Sequence, residues 1–127
     1  DMYILDNVVY NSDPRTEPTS TDALGLVSKE DVVVWRNAPH DVEVNGVIMA
    51  MSNSFMVQDW DSGLEGTLTV YGGIIQEFRG PVGTFSSRTG QKISGYTKNY
   101  MYDTRMRTHP PPAFPLTGNF ERVSWRE

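Results

Sequence analysis

Up to residue 75, apolar residues fall in short β-branched or aromatic runs separated by turn formers. The runs are Tyr3–Leu5, Val8–Tyr10, Val32–Trp35, Val42–Val44, Val47–Met49, Phe55–Val57, Leu68–Tyr71 and Gly73–Ile75. Side chains of these types suit a pleated, half-buried surface, so each run predicts a strand. Asp6-Asn7, Asn11–Pro14, Asn45-Gly46, Asp61–Gly63 and Gly72-Gly73 bound the runs and predict turns. Helical periodicity is missing. Asp22–Lys29 has apolar residues at 23, 24, 26 and 27, but the stretch is short and Gly25 interrupts it.

The runs repeat. Val42–Met49 aligns with Leu68–Ile75, and Tyr3–Tyr10 has the same shape: apolar, any, apolar, two turn-type residues, then a second apolar run. An alternating strand, a tight corner and another strand produce that pattern. Recurrence every few tens of residues predicts an all-β fold, a short parallel β-helix (β-solenoid). In such a fold each inward side chain stacks on its equivalent in the next coil. A β-sandwich or irregular antiparallel fold with chance similarity between strands is the competing reading.

From Arg79 the composition changes. Gly80, Pro81, Gly83, Gly90, Gly95 and the run Pro110–Pro112 are interleaved with Phe85, Tyr96, Tyr100, Tyr102, Phe114, Phe120 and Trp125. Proline fixes φ and donates nothing to a ladder, so Pro110–Pro112 predicts an extended polyproline segment. The expected organisation is a single domain, with solenoid coils over 1–78 and an irregular Pro/aromatic-rich C-terminal capping tail over 79–127. The tail would cover coil edges that would otherwise pair with other chains.

Composition narrows the function classes. A length of 127 residues suits one domain. A net charge of -5 argues against nucleic-acid phosphates and anionic membrane surfaces as partners. The absence of cysteine removes disulfides, thiol catalysis and Cys-based zinc sites. Apolar runs are all far short of a membrane span. The chain opens on Asp1 rather than Met, so a preceding segment carrying any export signal or anchor is expected.

Few residues suggest chemistry. Asp59, Asp61 and Glu65 place oxygen donors around a Ser62-Gly63 turn, which makes them candidate calcium ligands; an ordinary acidic turn is the plainer reading. Tyr96, Tyr100 and Tyr102 share strand parity and form a candidate sugar-stacking face, against the plainer expectation that they pack the tail onto the coils. Asp103 and Arg105 form an acid-base pair in principle, but an ion pair pinning the tail is the stronger expectation. Arg79, Gly80, Pro111 and Pro112 are assigned structural roles with them. His40 and His109 sit beside prolines with no metal or triad spacing. Gly72-Gly73 is followed by strand, not by the helix that a phosphate-binding loop needs.

The tail carries a resemblance. Arg79-Gly80-Pro81-Val82-Gly83, Gly95–Met106 and Pro110–Pro115 are similar to the C-terminal region of bacterial envelope and secreted β-helix proteins, some described as PilX-like, minor-pilin-associated proteins. Asp22–Ser28, Val32–Val34 and Val44–Ala50 fit the same group, so the resemblance covers most of the chain. Thr104 stands where that pattern has proline. The resemblance implies a right-handed β-helix exposed outside the cell and attached upstream to an anchoring segment; it implies no catalytic activity.

The expected function is therefore a non-catalytic structural or adhesive module of a bacterial extracellular appendage, either pilus-associated or a filament subunit. It has no cofactor beyond the candidate calcium. Its expected partners are other protein subunits, its own copies or surface glycans, with no membrane contact by this segment. The alternative is a carbohydrate-binding or polysaccharide-degrading β-helix, which needs convergent carboxylates or an exposed aromatic platform.

Overall fold

The computed structural model describes residues 1–85 and 88–108. Among the described residues eight strands are formed: β1 (Met2–Ile4), β2 (Gly25–Ser28), β3 (Val32–Val34), β4 (Val42–Ala50), β5 (Phe55–Val57), β6 (Leu64–Gln76), β7 (Gly83–Phe85) and β8 (Lys92–Tyr102). A 3-10 turn at Thr104–Arg107 follows. The strands make two sheets, in orders β1-β3-β5 and β2-β4-β6-β8-β7, and every pairing except β7 with β8 is parallel. The chain is a β-solenoid of about four turns.

The repeat read from the sequence is the structural register. Val42 through Met49 pair one for one with Leu68 through Ile75. Gly46 and Gly72 stack at the bend of these long strands with φ of 144° and 153°, a region that strongly favours glycine. A Cβ on Gly72 would overlap the Gly46 carbonyl oxygen. Each long strand therefore turns a corner without breaking its ladder.

Parity sorts the side chains. Val42 over Leu68 and Val44 over Val70 form inward columns, joined by Ile4, Val34 and Val57 from the other sheet. All are buried, and Phe55, Ile48 and Ile74 complete the lumen. A second, smaller cluster lies apart from it: Val47 and Met49 are covered by Met106 of the 3-10 turn.

Two expectations need correction. Tyr3–Tyr10 is not a third copy of the long-strand repeat. Met2–Ile4 stack on Val32–Val34, and Val8 bridges Val44. Between Val8 and Gly25 the chain makes an excursion in place of the Asn45-Gly46 corner, and Gly25–Ser28 then resume against Val47–Ala50. Nor do the coils stop at residue 78. β8 stacks in parallel on β6, and Pro81 accepts a bond from Val57 N, so the segment from Gly80 to Tyr102 supplies a fourth rung. Among the described residues this stretch of β8 has a stacked neighbour on one side only, which accommodates Lys98 and Asn99 among the strand residues. Pro111 and Pro112 lie outside the described residues.

Candidate functional site

The chemically richest cluster lies along the corner where the long strands bend. The excursion after Val8 folds back over this corner. Asn45, 1% exposed, accepts from Tyr10 N through Oδ1 at 3.0 Å, while its own N donates to Val8 O at 2.6 Å. Its Nδ2 donates to Glu43 Oε2 at 2.9 Å. Arg15 bridges Asp13, at 2.8 Å, and Glu43, and its guanidinium lies 4.7 Å from the centre of the Tyr71 ring. Hydrogen bonding to Arg15 holds the Asp13 carboxyl below its usual range. Burial pushes Glu43 up, but bonds from Asn45 and Arg15 outweigh it and leave the carboxyl lowered.

One step further along the same corner, Asp103 closes the last rung. Its N donates to Gly72 O at 2.8 Å, and its side chain caps the 3-10 turn by accepting from Arg105 N at 3.0 Å. Asp103 is 1% exposed and takes Arg105 Nε at 3.1 Å and Nη2 at 2.7 Å in a two-pronged pair. The remaining Arg105 donor, Nη1, reaches Ser20 O at 3.1 Å, eighty-five residues away. The Arg105 guanidinium also lies 5.8 Å from the Tyr10 ring centre. Asp103 and Arg105 thus tie the excursion loop of the first rung to the end of the fourth. A sealed carboxylate held by three donors from one arginine has no face left for a substrate.

The structure does not bring the three tyrosines onto one face: Tyr96 and Tyr100 pack on the main core, while Tyr102, at the bend, lies on the separate smaller cluster. Tyr96 is 2% exposed and its hydroxyl donates to Pro39 O at 2.7 Å. Burial raises its pKa to about 12. Tyr100 extends the Val44–Val70 column and packs on the main core; Tyr102 packs on the smaller cluster. Arg79 is exposed, and Gly80 beside it is required, because a Cβ there would overlap the Phe55 carbonyl oxygen.

The calcium candidates diverge. Asp59 adopts φ 54° and its carbonyl accepts from Ser62 N and Oγ, which closes a tight turn. That turn sends Asp59 toward Arg36 at 3.5 Å, while Glu65 lies 3.7 Å from His40. Among the described residues no three His, Cys, Asp or Glu side chains are placed to hold a metal ion.

The sequence reading overlooked the outer face of the three-stranded sheet. Tyr3, Val33 and Met56 are register partners across β1, β3 and β5 and floor a shallow open groove of about 350 Å³. Tyr3 is 48% exposed. The available signal was parity: Tyr3, Val33 and Met56 are the odd-facing members of three runs whose flanking residues point inward. No protein-family model matches the chain, and no curated protein or solved structure is similar enough to count as a match.

Proposed function

We propose that the protein is a non-catalytic structural module of a bacterial extracellular appendage, a filament or pilus-associated subunit that joins its neighbours through the ends of its rungs. The observation that carries this reading is the first rung. Among the described residues β1 and β2 are edge strands of their sheets, and Tyr3, Leu5 and Val9 beside them are about half exposed or more. A parallel edge next to apolar side chains is a template for another rung.

Charge polarity supports assembly in one direction. Residues 1–85 carry thirteen acidic side chains and four basic ones, Arg15, Lys29, Arg36 and Arg79. Residues 88–108 carry five basic ones, Arg88, Lys92, Lys98, Arg105 and Arg107, against Asp103 alone. The first 28 residues alone hold Asp1, Asp6, Asp13, Glu17 and Asp22 against Arg15, so the acidic first rung of one copy is complementary to Arg88, Lys92 and Lys98 of another, and a head-to-tail contact of that kind builds filaments rather than closed dimers.

Electron microscopy and sedimentation at low and at molar salt test the reading. Ordered linear oligomers at low salt, shortened by high salt and by the paired change Leu5→Asp and Val9→Asp, are expected. A protein that stays monomeric at all concentrations and salts, with the variant behaving identically, overturns it.

A further inference from the structure

The groove on the outer face of the β1-β3-β5 sheet shares Tyr3 with the first-rung edge but extends over Val33 and Met56 of the next two rungs. Its floor is apolar and aromatic: Tyr3, Val33 and Met56 in register, with Trp60 at one end anchored against the main core. Three strands span about 10 Å, at about 4.8 Å between neighbours.

The rim is acidic at both ends. Asp1 and Asp31 stand at one end, Asp59 and Asp61 at the other. Asp31 and Asp1 are fixed in place by backbone donors: Asp31 Oδ1 accepts from Ser54 N at 3.0 Å, and Asp1 Oδ1 accepts from Asp31 N at 3.3 Å. Arg36, 3.5 Å from Asp59, is a basic side chain at this rim, and both members of that pair are about half exposed. An exposed pair of that kind is weak and exchangeable.

We propose that this face docks an extended basic segment of another protein. Its aliphatic stems would lie on Tyr3, Val33 and Met56, and its ammonium or guanidinium heads would reach the carboxylates at the two ends. The charge complementarity selects the occupant. Anionic polymers are repelled by four carboxylates, and a neutral sugar would leave them without a countercharge. Tyr3 and Trp60 add ring faces that attract cations. Arg36 pairs with Asp59 in the free protein, so an incoming cation competes with it for that carboxylate.

The test is an NMR titration of the protein with acetylated, amidated tetralysine, alongside a neutral glucose trimer. The expected result is saturable shifts at Tyr3, Val33, Met56 and the Trp60 indole, weakened by salt. Tyr3→Ala and Asp61→Asn should each weaken tetralysine binding about two- to fivefold, the scale of an exposed cation–π or ion-pair contact. Arg36→Ala should tighten it. Asp61 is exposed, and among the described residues its side chain makes no hydrogen bond or ion pair, so its replacement keeps the test valid even if Tyr3→Ala disturbs the edge strand. Unsaturable shifts spread over other acidic surfaces, indifference to Asp61→Asn with the fold intact, or binding of the glucose trimer in place of tetralysine overturns the proposal. Binding here by a monomeric protein would leave the docking face standing even where filament assembly fails.

Discussion

Replacing Gly72 by alanine should unfold most of the protein's stability reserve, and a second glycine isolates why. Two effects act at Gly72. The first is backbone strain, since φ of 153° is sparsely populated by any residue with a Cβ; such strain costs about 1–3 kcal/mol. The second is the overlap of the new Cβ with the Gly46 carbonyl oxygen in the next rung. The two glycines are register partners, so relief requires the rungs to part at the corner. That breaks or lengthens about two ladder bonds, at about 1 kcal/mol each, and loosens the buried Val44–Val70 and Ile48–Ile74 contacts beside them. The expected total is about 4–6 kcal/mol, against a typical domain stability of about 5–15 kcal/mol. Gly63 has almost the same dihedral, φ 152°, but a Cβ there meets nothing within 4 Å. Gly63→Ala therefore reports the strain alone and should cost about 1–3 kcal/mol. Urea titrations followed by Trp35 and Trp60 fluorescence and by circular dichroism give both values. A Gly72→Ala cost no larger than that of Gly63→Ala would refute the stacked corner.

Arg105→Ala leaves the sealed Asp103 carboxylate without its partner and should cost about 3 kcal/mol, with much of the loss recovered by adding Asp103→Asn; a double-mutant cycle by urea denaturation measures the coupling. The same variant should raise hydrogen exchange around Ser20, whose carbonyl loses the Arg105 donor. Tyr96 ionises at about 12 in the folded state and near 10 when unfolded, so its contribution is complete below pH 10 and declines as pH rises toward 12, by up to about 3 kcal/mol; Tyr96→Phe should flatten that alkaline loss in pH-dependent melts. Asp13 and Glu43 have folded pKa values below their ordinary ones, so their stabilisation is present above about pH 4.5 and is lost as pH falls through the folded values. Arg15→Met should reduce that acid sensitivity, which acid titration followed by circular dichroism reads directly.

The legible part of the fold was its middle. Val42–Met49 and Leu68–Ile75 hold a clean repeat because they stack on each other residue for residue, so the inward positions demand apolar residues and the shared corner demands glycine. The ends obey weaker constraints. In the first rung, the excursion between Val8 and Gly25 shifts the spacing, so the repeat seen at Tyr3–Tyr10 was a coincidence of composition and β2 went unassigned. In the last rung, Lys98 and Tyr100 occupy the columns that hold Leu68 and Val70 one rung earlier, and a polar residue in a column hides the strand. Among the site residues, the pairing of Asp103 with Arg105 was readable from their spacing. The reach of Arg105 to Ser20 was not, because a contact across eighty-five residues depends on the coil number. The groove was hidden for a related reason: its floor takes one residue from each of three separate runs, so no local motif marks it.

The corner network has a consequence for how the module behaves as a unit. Stacked rungs contact only their neighbours, so a short solenoid held by lumen packing alone would fray from its ends in steps. Here the excursion loop departs from the first rung and is gripped at two heights. Arg15 ties it to Glu43 in the second rung, and Arg105 ties Ser20 to the end of the fourth. Tyr71, in the third rung, lies under the Arg15 guanidinium between them. Opening the last rung therefore strands Asp103 and releases the loop, which in turn uncovers Asn45 at the second. Because loss of the last rung exposes buried polar groups in the second, opening there costs more than that rung's own packing. A stack whose rungs would otherwise touch only their neighbours is thereby coupled from its first rung to its last.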